Sequence, residues 1–217
     1  SVNVVDPNAL RATYVLDNFT VVQDVVVNGS MLDDTNVRHS VSITNTTEAP
    51  RQFGLRNMWD WQIAGADDDS YFRQRNPDTP YTDVFATFDN PTVPVYEMVD
   101  NTAAPTFSVF GTVSGTALSP PPSLPEQLRY STWEESTKYA WDFTNTGSGI
   151  GSATVYYWGN TTPLSLDAGA TQTLTQYVST VLDAVDPPFN FNLDVDDNGT
   201  AKPLTDGLLI IRYLFGF

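Results

Sequence analysis

The stretch Gln52-Phe53-Gly54-Leu55-Arg56-Asn57-Met58-Trp59-Asp60-Trp61-Gln62-Ile63 sets Phe53, Leu55, Trp59, Trp61 and Ile63 all on odd positions. Large apolar side chains at every second residue describe a β-strand with one face turned to a core, because successive side chains project to opposite faces of the pleat. The same texture extends upstream through Ala12 to Leu16, Phe19 to Val27 and Val37 to Thr44, punctuated by Asn28-Gly29 and Asp33-Asp34. Downstream it continues through Thr82 to Phe88, Val93 to Val99, Thr106 to Val113, Gln127 to Thr132, Tyr139 to Phe143, Ser152 to Trp158, Leu164 to Leu166 and Thr171 to Val181. So many short strands with turn residues between them predict an all-β fold, an antiparallel β-sandwich that is Ig-like or larger.

The composition agrees. Asp outnumbers Glu 21 to 5 and Thr occurs 27 times in 217 residues, a balance that favours turns and strands over helices. The formal charge of −16 argues against duplex nucleic acid and anionic membrane surfaces as partners. With no Cys, disulfides, thiol nucleophiles and Cys-ligated metals are excluded, and the single His39 leaves no multi-His metal site. No apolar run is long enough for membrane insertion as a helix. The start at Ser1 reads as a mature chain whose leader has been removed, which predicts an extracellular or cell-surface location. Sequons at Asn18, Asn28, Asn45 and Asn160 are candidate glycosylation sites at strand edges or turns.

The densest chemistry is Asp194-Val195-Asp196-Asp197-Asn198-Gly199-Thr200, which leads through Lys202, Thr205 and Asp206 into the apolar run Gly207 to Phe215. Carboxylates and a carboxamide at loop positions one, three and five converge on one centre, Gly at six permits the turn, and residue seven offers its carbonyl. Such hard oxygen ligands suit Ca²⁺. The segment resembles the loop–helix half of an EF-hand and, more closely, the calcium repeat of dockerins. That resemblance covers about the last tenth of the chain. It implies Asp194, Asp196, Asn198, Thr200, Lys202 and Asp206 as metal ligands, with Lys202 acting through its carbonyl or a water. Position twelve is Thr205 and the acid follows one residue later, so either Thr205 or Asp206 closes the shell. Without the ion the clustered acids repel and the helix start frays, so chelation of the chain is expected to remove helical signal in far-ultraviolet circular dichroism, restored by added Ca²⁺.

The chain is therefore expected to comprise a sandwich over residues 1–188, with a subdivision near 119–125 in Ser119-Pro120-Pro121-Pro122-Ser123-Leu124-Pro125 left open, and a calcium loop–helix over 189–217. The Leu164 to Thr175 hairpin resembles the closing hairpin of secreted prokaryotic sandwich domains of no specific family. Ser1 to Val5 reads either as an ordinary edge strand or as an arm that completes a neighbour's sheet. His39 shares the phase of Val37, Val41 and Ile43, which makes it an inner-face residue rather than a catalyst. Asp67 to Asp69 read as an acidic turn. Glu97, Glu134 and Glu135 are too sparse and unflanked to mark a glycosidase pair. The functional expectation is a calcium-stabilised structural subunit of an extracellular filament or surface layer, associating with copies of itself and without enzymatic activity. Two alternatives stand beside it. One is a carbohydrate-binding or adhesion module using exposed aromatics, with Trp158 and Tyr156 as the first pair to inspect and polysaccharide as ligand. The other is a sugar-processing enzyme.

Overall fold

The computed structural model describes residues 1–31, 34–63, 66–67, 70–75, 78–115, 118–136, 141–149 and 153–186. Residues 1–187 form one compact unit. Its strands are β1 (Val2–Asp6), β2 (Ala9–Val15), β3 (Phe19–Asn28), β4 (Asn36–Asn45), β5 (Arg51–Phe53), β6 (Leu55–Asp60), β7 (Gln62–Ile63) and β8 (Ala66–Asp67). They continue with β9 (Tyr71–Arg75), β10 (Ala86–Asp89), β11 (Val95–Val99), β12 (Ser108–Thr112), β13 (Gln127–Ser131), β14 (Ala153–Trp158), β15 (Leu164–Leu166) and β16 (Thr171–Ser179). The described helical pieces are short, at Trp133–Ser136 and Leu182–Ala184.

Two antiparallel sheets face each other. The larger has the order β1-β2-β3-β4-β16-β12-β11-β9 and the smaller β10-β13-β14-β6. The predicted strand through Gln52 to Ile63 is real but broken: Gly54 separates β5 from β6, and Trp61 separates β6 from β7. Gly54 is required there, because a Cβ would meet the Trp141 ring at 2.7 Å. The Tyr139 to Phe143 expectation is corrected, since residues 141–143 are not strand. Instead Asp142 pairs with Arg129 at 2.6 Å, and Phe143 packs on Val155 and Tyr157. Ser1 to Val5 is an edge strand of its own chain, with Val2 opposite Ala12 and Val4 opposite Leu10. The Pro-rich segment runs within the unit, tied down by Ser123 N donating to Thr175 O and by Tyr177 Oη donating to Pro120 O.

Between the sheets lie Trp61, Ile63, Phe72, Tyr96, Met98, Leu128, Tyr130, Tyr156 and Trp158. A core this rich in tyrosine needs an acceptor or donor for each hydroxyl. Tyr96 Oη shares a 2.9 Å hydrogen bond with Thr154 Oγ1, Tyr156 Oη donates to Thr112 O and Tyr130 Oη to Ser70 O. Burial pushes the Tyr96 phenol up to about 12. The opposite face of the larger sheet is hydroxyl-rich, with Ser40, Ser42 and Thr44 paired to Thr175, Thr173 and Thr171 at 2.7 to 3.1 Å. β4 and β16 thus each have one apolar and one hydroxyl-bearing phase, and a polar residue on the apolar phase stands out.

Candidate functional site

Five residues bring polar atoms into the space between β3, β4 and β16 of the larger sheet and β6 of the smaller. Register builds the floor: Gln176 lies opposite His39, and His39 opposite Val25. Directly paired residues project to the same face, so these three share the inner side. Across the gap, Leu55, Asn57 and Trp59 alternate along β6 opposite the buried Trp158, Tyr156 and Thr154. The result is a cavity of about 140 Å³ lined by Gln23, Val25, His39, Asn57, Met58 and Trp59. It is close to the size at which an apolar cavity of roughly 150 Å³ accepts a six-membered ring.

The groups are held firmly. Gln176 is 3% exposed, and its Oε1 accepts from Trp59 Nε1 at 2.8 Å and from Asn57 Nδ2 at 3.4 Å. Gln23 Nε2 lies 2.7 Å from His39 Nε2. An amide nitrogen only donates, so Nε2 accepts and the imidazole proton sits on Nδ1. Nδ1 has no hydrogen-bond partner among the described residues. His39 also packs edge-to-face on Trp59, with centroids 5.7 Å apart at 80°, and Trp59 stacks on Trp61 at 5.5 Å and 12°. Burial holds the His39 pKa below its ordinary 6.5, so the ring is neutral near pH 7. The pocket thus offers an indole, amide donors and acceptors, and one neutral imidazole.

Several expected residues lie elsewhere. Trp158 and Tyr156 are buried and stacked on one another at 5.7 Å, so that pair is core and not a platform. Glu97 is buried with Arg73 at 2.6 Å, Arg75 at 3.3 Å and Ser108 at 2.8 Å, an ion-pair network on β9, β11 and β12. Glu134 and Glu135 occupy the short helix. The expected metal ligands Asp194, Asp196, Asn198, Thr200, Lys202 and Asp206 lie outside the described residues, as do Asp68 and Asp69.

The sequons differ sharply in environment. Asn18 is exposed. Asn28 Nδ2 donates to Asn36 Oδ1, and Asn160 Oδ1 accepts from Trp141 Nε1. Asn45 is fully buried: its Nδ2 donates to the carbonyls of Ala49, Leu166 and Asp167, and its Oδ1 accepts from Thr47. In the folded chain that amide is spent on main-chain carbonyls. Asn45→Ala is expected to cost about 3 kcal/mol in denaturant unfolding, because several buried groups lose their partner at once. Asn18→Ala is expected to cost less than about 0.5 kcal/mol.

His39 and Trp59 were visible in the sequence individually; Gln23, Asn57 and Gln176 were missed. The available signal was an amide placed in phase with apolar neighbours: Gln23 between Val21 and Val25, Asn57 between Leu55 and Trp59, Gln176 between Leu174 and Val178.

No protein-family model matches the chain, and no curated protein matches it. Among solved structures, a galactose mutarotase-like protein from Lactobacillus casei shares 13% identity, with 82% of this chain and 72% of that one covered and a TM-score of 0.47. A galactose mutarotase related enzyme from Lactobacillus acidophilus shares 11%, with 83% and 71% covered and a TM-score of 0.46. These resemblances concern the fold alone. They share a β-rich fold with this chain, and they lend no support to the expectation of a filament or surface-layer subunit without enzymatic activity.

Proposed function

We propose that this chain recognises a carbohydrate in the His39–Trp59 pocket, as the binding half of a sugar-processing site. The observation that carries the reading is Gln176, buried on an otherwise apolar face and spending its one carbonyl on Trp59 and Asn57. A buried amide on a core phase is costly unless its bonds are made, and here it fixes the two side chains that present an indole and an amide to the cavity. A pyranose has the complementary surface. Its axial C–H bonds form an apolar face for an indole, and its hydroxyls both donate and accept. His39 is the titratable group among the lining residues, and it meets the ligand as a hydrogen-bond donor rather than as an acid or a base. Its Nδ1–H donates while Nε2 is engaged with Gln23.

The test is twofold. Calorimetric titration with methyl glycosides of glucose, galactose and mannose is expected to show saturable binding to at least one. Polarimetry of freshly dissolved aldoses then measures whether binding is accompanied by faster anomer exchange. Absence of binding to every glycoside by a cooperatively folded protein would refute the reading.

The same geometry sets a pH dependence. The folded His39 has a depressed pKa, whereas the unfolded residue titrates near 6.5. Above that value both states are neutral and the contribution is constant. As the pH falls through it, the unfolded chain binds a proton that the folded chain refuses, so stability declines. Tm measured between about pH 8 and about pH 5 is expected to fall less in His39→Gln than in the unaltered chain. Equal slopes would contradict a buried, neutral imidazole.

A further inference from the structure

Beside the first pocket lies a second one of different chemistry, about 320 Å³ in volume, lined by Val37, Trp61, Val109 and Val178, with Asn36 and Thr180 among the polar residues that border it. Three pairs of residues relate the two cavities. Val37 follows the phase of His39 on β4, Val178 that of Gln176 on β16, and Trp61 is stacked on Trp59. Each pair is two residues apart along the chain, so on the strands the second cavity begins about 7 Å from the first. Trp61 is 8% exposed and its Nε1 is already bonded to Thr154 Oγ1 at 2.9 Å, so it presents only ring surface.

We propose that this second cavity is an aglycone subsite, and that the ligand class is a glycoside carrying an apolar aryl group. The inference rests on the carbohydrate reading of the neighbouring pocket. The volume is about twice the roughly 150 Å³ cavity that takes one benzene, which fits a fused two-ring aromatic. The stacked Trp59–Trp61 pair serves both parts: one indole faces the sugar cavity and the other the aryl cavity. A second sugar suits the space poorly, because three valines and an indole would leave its hydroxyls without partners.

The experiment is calorimetric titration of the full chain with the methyl and the 2-naphthyl glycosides of one hexose, and with 2-naphthol alone. The naphthyl glycoside is expected to bind about tenfold or more tighter than the methyl glycoside. Val109→Phe, which fills the cavity, is expected to erase that gain while leaving the methyl glycoside Kd within about twofold. Thr180→Trp, at an exposed position of the border, blocks the same space without touching the core and is expected to do likewise. Equal affinities for the two glycosides, or a gain that survives both blocking variants, would overturn the subsite and leave the carbohydrate reading standing. 2-Naphthol binding as tightly as its glycoside, with no methyl glycoside bound, would overturn both.

Discussion

Exchanging Gln176 for leucine is expected to abolish detectable sugar binding while the chain still folds. Leucine matches the apolar phase set by Leu174 and Val178 and fills similar space. It removes the acceptor for Trp59 Nε1 at 2.8 Å and for Asn57 Nδ2 at 3.4 Å, however, so neither side chain keeps its orientation. Leaving those two donors unpaired costs about 1 to 3 kcal/mol each, part of it in stability and part in the geometry of the pocket. The expected outcome is a glycoside affinity lower by about a hundredfold or more, with a cooperative thermal transition lower by several degrees. Gln176→Glu separates shape from chemistry: it keeps the acceptor but adds a charge in a buried place, and is expected to weaken binding more strongly as pH rises. If Gln176→Leu binds sugar normally, the amide has no role in recognition.

The largest effect on the fold itself is expected at Gly111. This residue lies on β12 directly opposite Tyr96 of β11, and the Tyr96 ring covers it. A Cβ at position 111 would sit inside the contact distance of the ring and its hydroxyl. Tyr96 has no room to retreat, being fully buried, stacked near Phe72 at 5.7 Å and hydrogen-bonded to Thr154. Gly111→Ala is therefore expected to destabilise the chain by about 3 kcal/mol, roughly 10 °C in Tm. The double variant Gly111→Ala with Tyr96→Phe recovers little, since the clash involves the ring as well as its oxygen. A Gly111→Ala protein with unchanged Tm would mean that the inner tyrosines are not packed as described.

Alternation carried the fold in the sequence because burial on one face of a strand is a local property of neighbouring residues. Val37, Val41 and Ile43 declare their inner face whatever lies across from them. Boundaries were less legible: the break at Gly54 depends on the indole of Trp141, a residue 87 positions further along the chain, and Tyr139 to Phe143 has strand composition but gives Phe143 O to Arg129 at 3.0 Å. The site was harder still. Gln23, His39, Asn57, Trp59 and Gln176 come from four strands, and register between strands distant in sequence follows from the whole sheet. The aromatic count drew attention to Trp158 and Tyr156, whose environment is core, whereas three amides carried the informative departure from pattern. Sequons show the same limit, since Asn45 and Asn18 read alike in sequence and differ completely in burial.

Whether the His39–Trp59 pocket holds a sugar is read out in nitrogen-15 correlation spectra recorded during titration with methyl glycosides. Trp59 and Gln176 are identified beforehand by single substitution. Saturable shifts of the Trp59 indole N–H and the Gln176 side-chain amide are expected, with the indoles of Trp133 and Trp141 unmoved. Spectra in which no resonance of these pocket residues moves at saturating glycoside, or in which only the exposed Trp133 and Trp141 respond, would contradict sugar binding in this pocket.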